Sequence, residues 1–249
     1  MLKRLDELLI AFRQEVEVGV RSRNHFVLAS SRPDDKRHHA FRDCRRVARF
    51  SSWIEVFDLT LAEINRRAIE EMEHFGAHAG VVALAGRTIA FPAESGMGKT
   101  TLVAACLQNG FKYVSDEALC LDYADSLVVA YPKPLNLTSW SLATLGLPRA
   151  DEVTTKTPVT PEELGSSAAR PRSRLTDVVM LERRPGQANL EGLPTSQVVA
   201  ALVKASFNHY KRPADTYMLI NSVARGARGW SLGYEDPSEA ARLLFASLS

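Results

Sequence analysis

The chain has 249 residues, 45% of them hydrophobic, which is enough to bury a full core in one domain with a small appendage. With 31 Lys and Arg against 29 Asp and Glu, the formal charge of +2 is too near balance for a dedicated nucleic-acid binder, although one local site can still take an anion. Cys44, Cys106 and Cys120 lack metal-ligand spacing and fit a reducing compartment, and no continuous apolar stretch marks a signal peptide or membrane span, so the expected location is the cytoplasm.

In chain order, Leu2, Leu5, Leu8, Leu9 and Phe12 share one helical face. Residues 15–21 alternate polar with apolar, and Phe26 to Ala29 is a second short strand candidate. A basic cluster follows, Lys36, Arg37, His38 and His39, then Arg42, Arg45, Arg46 and Arg49. It reads as a solvated hairpin face, the alternative being a docking surface for an acidic partner. Trp53 to Phe57 predicts a strand, and Asp58 to Glu73 a helix with a broken apolar stripe of Leu59, Leu61, Ile64, Ala68, Ile69 and Met72.

Two apolar runs, Gly80 to Leu84 and Thr88 to Phe91, are separated by Ala85-Gly86-Arg87, a hairpin signal. A turn centred between Ala85 and Gly86 sets residue 84 against 87 and, counting outward, His78 against Ala93. His78 then lies beside Pro92-Ala93-Glu94-Ser95-Gly96-Met97-Gly98-Lys99-Thr100-Thr101, which reads as a phosphate-binding loop. In such a loop the glycines let backbone N–H groups turn onto phosphates, the lysine supplies charge to the β- and γ-oxygens, and the next hydroxyl ligates Mg²⁺. The helix that must follow is present: Leu102, Val103, Cys106 and Leu107 have helical spacing and Asn109-Gly110 is a stop. Ala93 stands where the first Gly is usual.

Phe111 to Ser115 and Ala118 to Asp122 predict two strands around Asp116-Glu117, a pair placed where carboxylates in α/β folds meet Mg²⁺ and a nucleophile; the bland reading is a charged turn. Lys133, between two prolines, is a candidate substrate or phosphate contact, or an exposed turn lysine. Trp140 to Leu147 is a weak helix, and 151–174 is rich in Thr, Pro, Ser and Ala and reads as a mobile loop or spacer. Leu175 to Leu181 predicts a strand, Ser196 to Tyr210 a helix, Trp230 to Tyr234 a strand and Pro237 to Leu248 a helix opened by Asp236.

Taken together, His78 to Gly86, Glu94 to Leu102 and Tyr113 to Glu117 resemble the catalytic core of HPr kinase/phosphorylase and its shorter relatives, over roughly residues 76 to 135. The resemblance implies an α/β, mixed-sheet P-loop kinase core of the type shared with phosphoenolpyruvate carboxykinase, at 76–249, with a small α+β subregion at 1–75. It also implies an ATP-dependent serine kinase. Glu94, Ser95, Gly96, Met97, Gly98, Lys99, Thr100 and Thr101 would then hold ATP, and Thr100, Asp116 and Glu117 would hold Mg²⁺. Asp116 would be the general base, Lys99 a catalytic charge and His78 a polar or proton-sharing group. Glu117 stands where the family usually has a second aspartate. No segment for the reverse reaction and no full-length N-terminal domain is recognisable, so neither phosphorylase activity nor the usual carrier-protein substrate is carried over. The expected partner is a protein or peptide bearing a serine, with no nucleic acid and no membrane; a homo-oligomer is compatible. Two other readings share the loop: a kinase for a small-molecule hydroxyl, and a nucleotide-binding regulatory module without catalysis.

Overall fold

The computed structural model describes residues 26–30, 37–94, 96–148, 156–169 and 172–249. The expected helix at 2–12 and strand at 15–21 lie outside the described residues, as do Lys36 and Ser95. The N-terminal part begins with an antiparallel sheet of order β1-β2-β3, made by β1 (Phe26–Ser30), β2 (His38–Arg42) and β3 (Arg45–Phe50). The basic cluster is thus a hairpin face, turned at Asp43 and Cys44, both at positive φ. The run from Trp53 corrects the expected strand: it opens helix α1 (Trp53–Glu71). The Ser52 hydroxyl accepts the Ile54 N–H at 3.2 Å and so satisfies an orphan donor of the first turn. Ile54, Phe57 and Leu61 recur at helical spacing and are buried, and Val56 packs with Ala40 and Ala48 of the small sheet. Tertiary burial on one face overrides the β preference of the Trp-Ile-Glu-Val-Phe run.

The principal sheet is built on β4 (Phe75–Leu84) and β5 (Arg87–Pro92). Their register is the expected one: Leu84 pairs with Arg87, and the Ala93 N–H reaches the His78 carbonyl at 3.3 Å. Ala85 takes φ 47° and Gly86 φ 81°, both positive, as a two-residue hairpin turn requires. After a glycine-containing loop come α2 (Lys99–Gln108), β6 (Lys112–Ser115), β7 (Ala118–Leu121) and β8 (Leu127–Val129). Next are β9 (Leu135–Thr138), α3 (Ser139–Thr144), β10 (Lys156–Val159) and β11 (Ser173–Arg174). The chain continues through β12 (Asp177–Arg183), β13 (Asn189–Leu193), α4 (Thr195–Ala205) and α5 (Pro213–Gly226). It ends with β14 (Arg228–Tyr234) and α6 (Pro237–Leu248). Strand order is β11-β8-β7-β4-β5-β12-β14-β13, with β6 also paired to β4. The β5-β12 and β12-β14 pairs are parallel and the others antiparallel, so this is an α/β fold with a mixed sheet.

Side chains alternate across the sheet into two cores. Val82, Leu84, Ile89 and Phe91 face α2 and α6, whereas Val81 and Ala90 face α4 and α5. Helix α2 is buried on almost every side, from Leu102 through Leu107, which is why its sequence is apolar all round. A Cβ on Gly80 would lie 2.6 Å from Cγ2 of Val103, so α2 approaches β4 this closely because that position carries no side chain. Cys106 and Cys120 are buried, and burial pushes both thiols up, Cys120 to about 12. The expected loop at 151–174 is corrected in its described part: it holds β10 and β11, and Val159 and Leu164 enter the core beside α2. Helix α5 and strand β13 went unread in the sequence. At the sheet end away from the loop between β5 and α2, buried Asp177 accepts from Trp230 Nε1 at 2.9 Å and pairs with Arg87 and Arg228. No helix among the described residues is long and apolar enough to cross a membrane.

Candidate functional site

Parity along β4 decides which side His78 serves. His78, Gly80 and Val82 point to one face, and that face carries α2 and the loop leading into it. In the loop, Gly96 and Gly98 both sit at φ 86°, the left-handed region open to glycine, and Gly98 forms the N-cap of α2. The Lys99 ammonium folds back onto the carbonyls of Ala93 and Glu94 at 2.9 and 3.2 Å. Burial pulls this ammonium below its ordinary range, against the opposing attraction of Asp116 and Glu117. Glu94 turns its side chain out to solvent, where it pairs with Lys204 at 2.8 Å, so its backbone and not its carboxylate faces the loop interior. Ser95, one of the expected phosphate-binding residues, lies outside the described residues.

Asp116 and Glu117 interrupt what would otherwise be one strand running from β6 into β7 along β4, opposite Ala79 and Gly80. Ser115 shapes the interruption: its buried hydroxyl accepts the N–H groups of Glu117 and Ala118 at 3.2 and 3.1 Å. Asp116 is 4% exposed, and its Oδ2 is buried without a hydrogen-bond partner among the described residues. His78 Nδ1 lies 3.0 Å from the Glu117 carbonyl, which can only accept, so this nitrogen carries the proton, and it is 3.7 Å from the Glu117 carboxylate.

Lys133 corrects the exposed-turn alternative, because it is 5% exposed and aimed inward. Its ammonium stands 3.3 Å from Glu117 and 3.8 Å from Asp116. Burial is the largest influence on it and would lower it, but the two carboxylates together outweigh burial and hold it above its ordinary range. The lysine is aimed by β6 as well: the Tyr113 hydroxyl donates to the Lys133 carbonyl at 2.6 Å.

These groups line one cleft of about 810 Å³, shared by His78, Gly98, Lys99, Thr100, Asp116, Glu117 and Lys133. Thr101 lines it too, but its hydroxyl lies 2.8 Å from that of Ser141. Helix α1 supplies the far wall, and the Tyr131 hydroxyl donates to Asn65 of α1 at 2.6 Å. Among the cleft residues missed in the sequence is Asp58 of α1, whose Oδ1 is buried without a partner among the described residues. Burial pushes Asp58 up to about 6, against the pull of Lys156 and Lys133. Its signal was a lone aspartate inside an expected helix start, which sequence cannot tell from a solvated cap.

The donor set suits Mg²⁺ shared with a nucleotide. Two carboxylates and the Thr100 hydroxyl are hard oxygen ligands, Asp116 Oδ2 has no partner among the described residues, and the Lys133 ammonium already holds a positive charge at both carboxylates. Among the described residues no group of three or more His, Cys, Asp or Glu forms an all-protein cage, and Mg²⁺ bound through phosphates does not need one.

No family model matches the chain, and no curated protein matches it. Among solved structures it is similar to the HPr(Ser) kinase/phosphatase from Coxiella burnetii, at 12% identity over 64% of this chain and 84% of that one. The TM-score of 0.31 is too low to define a shared fold.

Proposed function

We infer that the chain is an ATP-dependent kinase that phosphorylates a serine hydroxyl on a protein or peptide. The observation that carries this reading is the convergence of Lys99, Thr100, Asp116, Glu117 and His78 on one cleft at the N-terminus of α2. Lys99 and the inward N–H groups of the loop would bind the β- and γ-phosphates, helped by the positive end of α2. Thr100, Asp116 and Glu117 would hold Mg²⁺, which supplies charge neutralisation on the phosphate oxygens. The serine oxygen attacks the γ-phosphorus as the bond to the ADP oxygen breaks, and the serine proton passes to an Asp116 carboxylate oxygen. His78, fixed through Nδ1, presents Nε2 as an acceptor that orients the incoming hydroxyl. Lys133 holds the carboxylate pair together and stays within reach of the transferring phosphate.

Purified protein is incubated with Mg²⁺, γ-labelled ATP and a lysate of its host. Label on protein or peptide is expected, reduced about a hundredfold or more in Asp116→Asn while nucleotide binding persists. Label only on a metabolite would move the assignment to a small-molecule kinase. Wild-type transfer by Asp116→Asn would remove that residue as the base, and binding without transfer would leave a regulatory nucleotide-binding module.

A further inference from the structure

The loop gives its cleft a direction. Lysines of phosphate loops reach the β- and γ-phosphates, while the backbone leading into the helix cradles the α- and β-phosphates. Asp116, Glu117 and Lys133 therefore mark the γ end. The opposite end lies beyond Thr101, whose hydroxyl contacts Ser141 at 2.8 Å, and the residue beside Ser141 is Trp140. Trp140 lines the cleft yet is 54% exposed, an unusual state for an indole. Arg183, also on the cleft wall, places its guanidinium 5.6 Å from the Trp140 ring centre and 5.2 Å from that of buried Tyr234. Tyr234 in turn abuts the phosphate loop, since a Cβ on Gly98 would lie 3.5 Å from its hydroxyl. A cation and two aromatic rings are thus racked together at the loop-to-helix junction, with one indole left facing the cleft.

Resting on the kinase reading above, we propose that Trp140 and Arg183 form the platform on which the nucleobase of the bound triphosphate stacks. Every base offers a π-face to an indole or a guanidinium plane, so such a platform supplies affinity through the base and none through the phosphates. Arg183, pinned over Tyr234, keeps a positive plane beside the ring without closing the indole to ligand.

The test compares two probes on the full chain, Mg²⁺ with ATP and Mg²⁺ with inorganic tripolyphosphate, which has no base. Dissociation constants are measured by calorimetry for the wild type, Trp140→Ala, Trp140→Phe and Lys99→Met, with thermal unfolding as the folding control. Trp140→Ala should weaken ATP about tenfold and leave tripolyphosphate within about twofold, with Trp140→Phe recovering most of the loss. Unchanged ATP binding in Trp140→Ala, or an equal loss for both probes, would overturn the platform. Lys99→Met should weaken both probes, and if it weakens neither, the phosphate-loop reading falls whatever Trp140 does.

Discussion

At the scale of single residues, the site is governed by two charges that the loop motif does not contain, one buried and one part-buried. Lys133 sits 3.3 Å from Glu117 and 3.8 Å from Asp116 and so occupies the region that the proposed kinase reading gives to Mg²⁺. Lys133→Met strands two carboxylates and should cost about 3 kcal/mol. The same variant should gain more thermal stability from Mg²⁺ alone than the wild type does, because the competing ammonium is gone. Equal Mg²⁺ responses in differential scanning fluorimetry would contradict this role. Asp58 carries the second charge, and its carboxyl is pushed up to about 6 from 3.8. The folded state therefore binds its proton more tightly than the unfolded chain does. Stability from this group is present at low pH and declines as pH rises through the interval from 3.8 to about 6. Because Asp58 is only part-buried, solvent screening leaves of order 1 kcal/mol of the effect. Urea unfolding of the wild type and Asp58→Asn checks this: the gap between them should change across that interval, and a constant gap would refute the assignment.

At the scale of elements, the seating of α2 on β4 sets the glycine-rich loop that leads into α2. The contact depends on Gly80, where a methyl group would come within 2.6 Å of Val103 Cγ2. Gly80→Ala should cost about 1–3 kcal/mol by overpacking and push the start of α2, with Lys99, out of position. Adding Val103→Ala should recover much of the stability and of the nucleotide affinity. Failure of the double variant to recover either would place the strain elsewhere. The interrupted strand β6–β7 works the same way, since Ser115 and Tyr113 fix the acid pair and Lys133 from one short segment.

At the scale of the whole molecule, the cleft joins two parts: α1 with its small sheet, and the mixed sheet with α2. A ligand touching both walls stabilises the entire fold by mass action. Mg²⁺ with ATP at a hundredfold excess over its dissociation constant should add about 2.7 kcal/mol. For a chain of this size that is roughly 5–10 °C in the unfolding midpoint. Lys99→Met should abolish the shift, and an unmoved wild-type midpoint would argue against nucleotide binding altogether.

What the sequence determined by itself is local. The order of strand, glycine-rich loop and helix, the register setting His78 against Ala93, and Asp116-Glu117 between two apolar runs follow from turn chemistry and period-two patterning over a few residues. Tertiary structure decided what depends on partners far along the chain. A Trp-Ile-Glu-Val-Phe run became helix because the small sheet buries one of its faces, and a Pro- and Thr-rich stretch yielded β10 because β9 was there to pair it. Lys133 and Asp58 drew together, and Trp140 met Arg183, only once the sheet had closed. Whether a charged or aromatic side chain is solvated or buried is a property of what packs over it, and residue spacing along the chain carries no record of that.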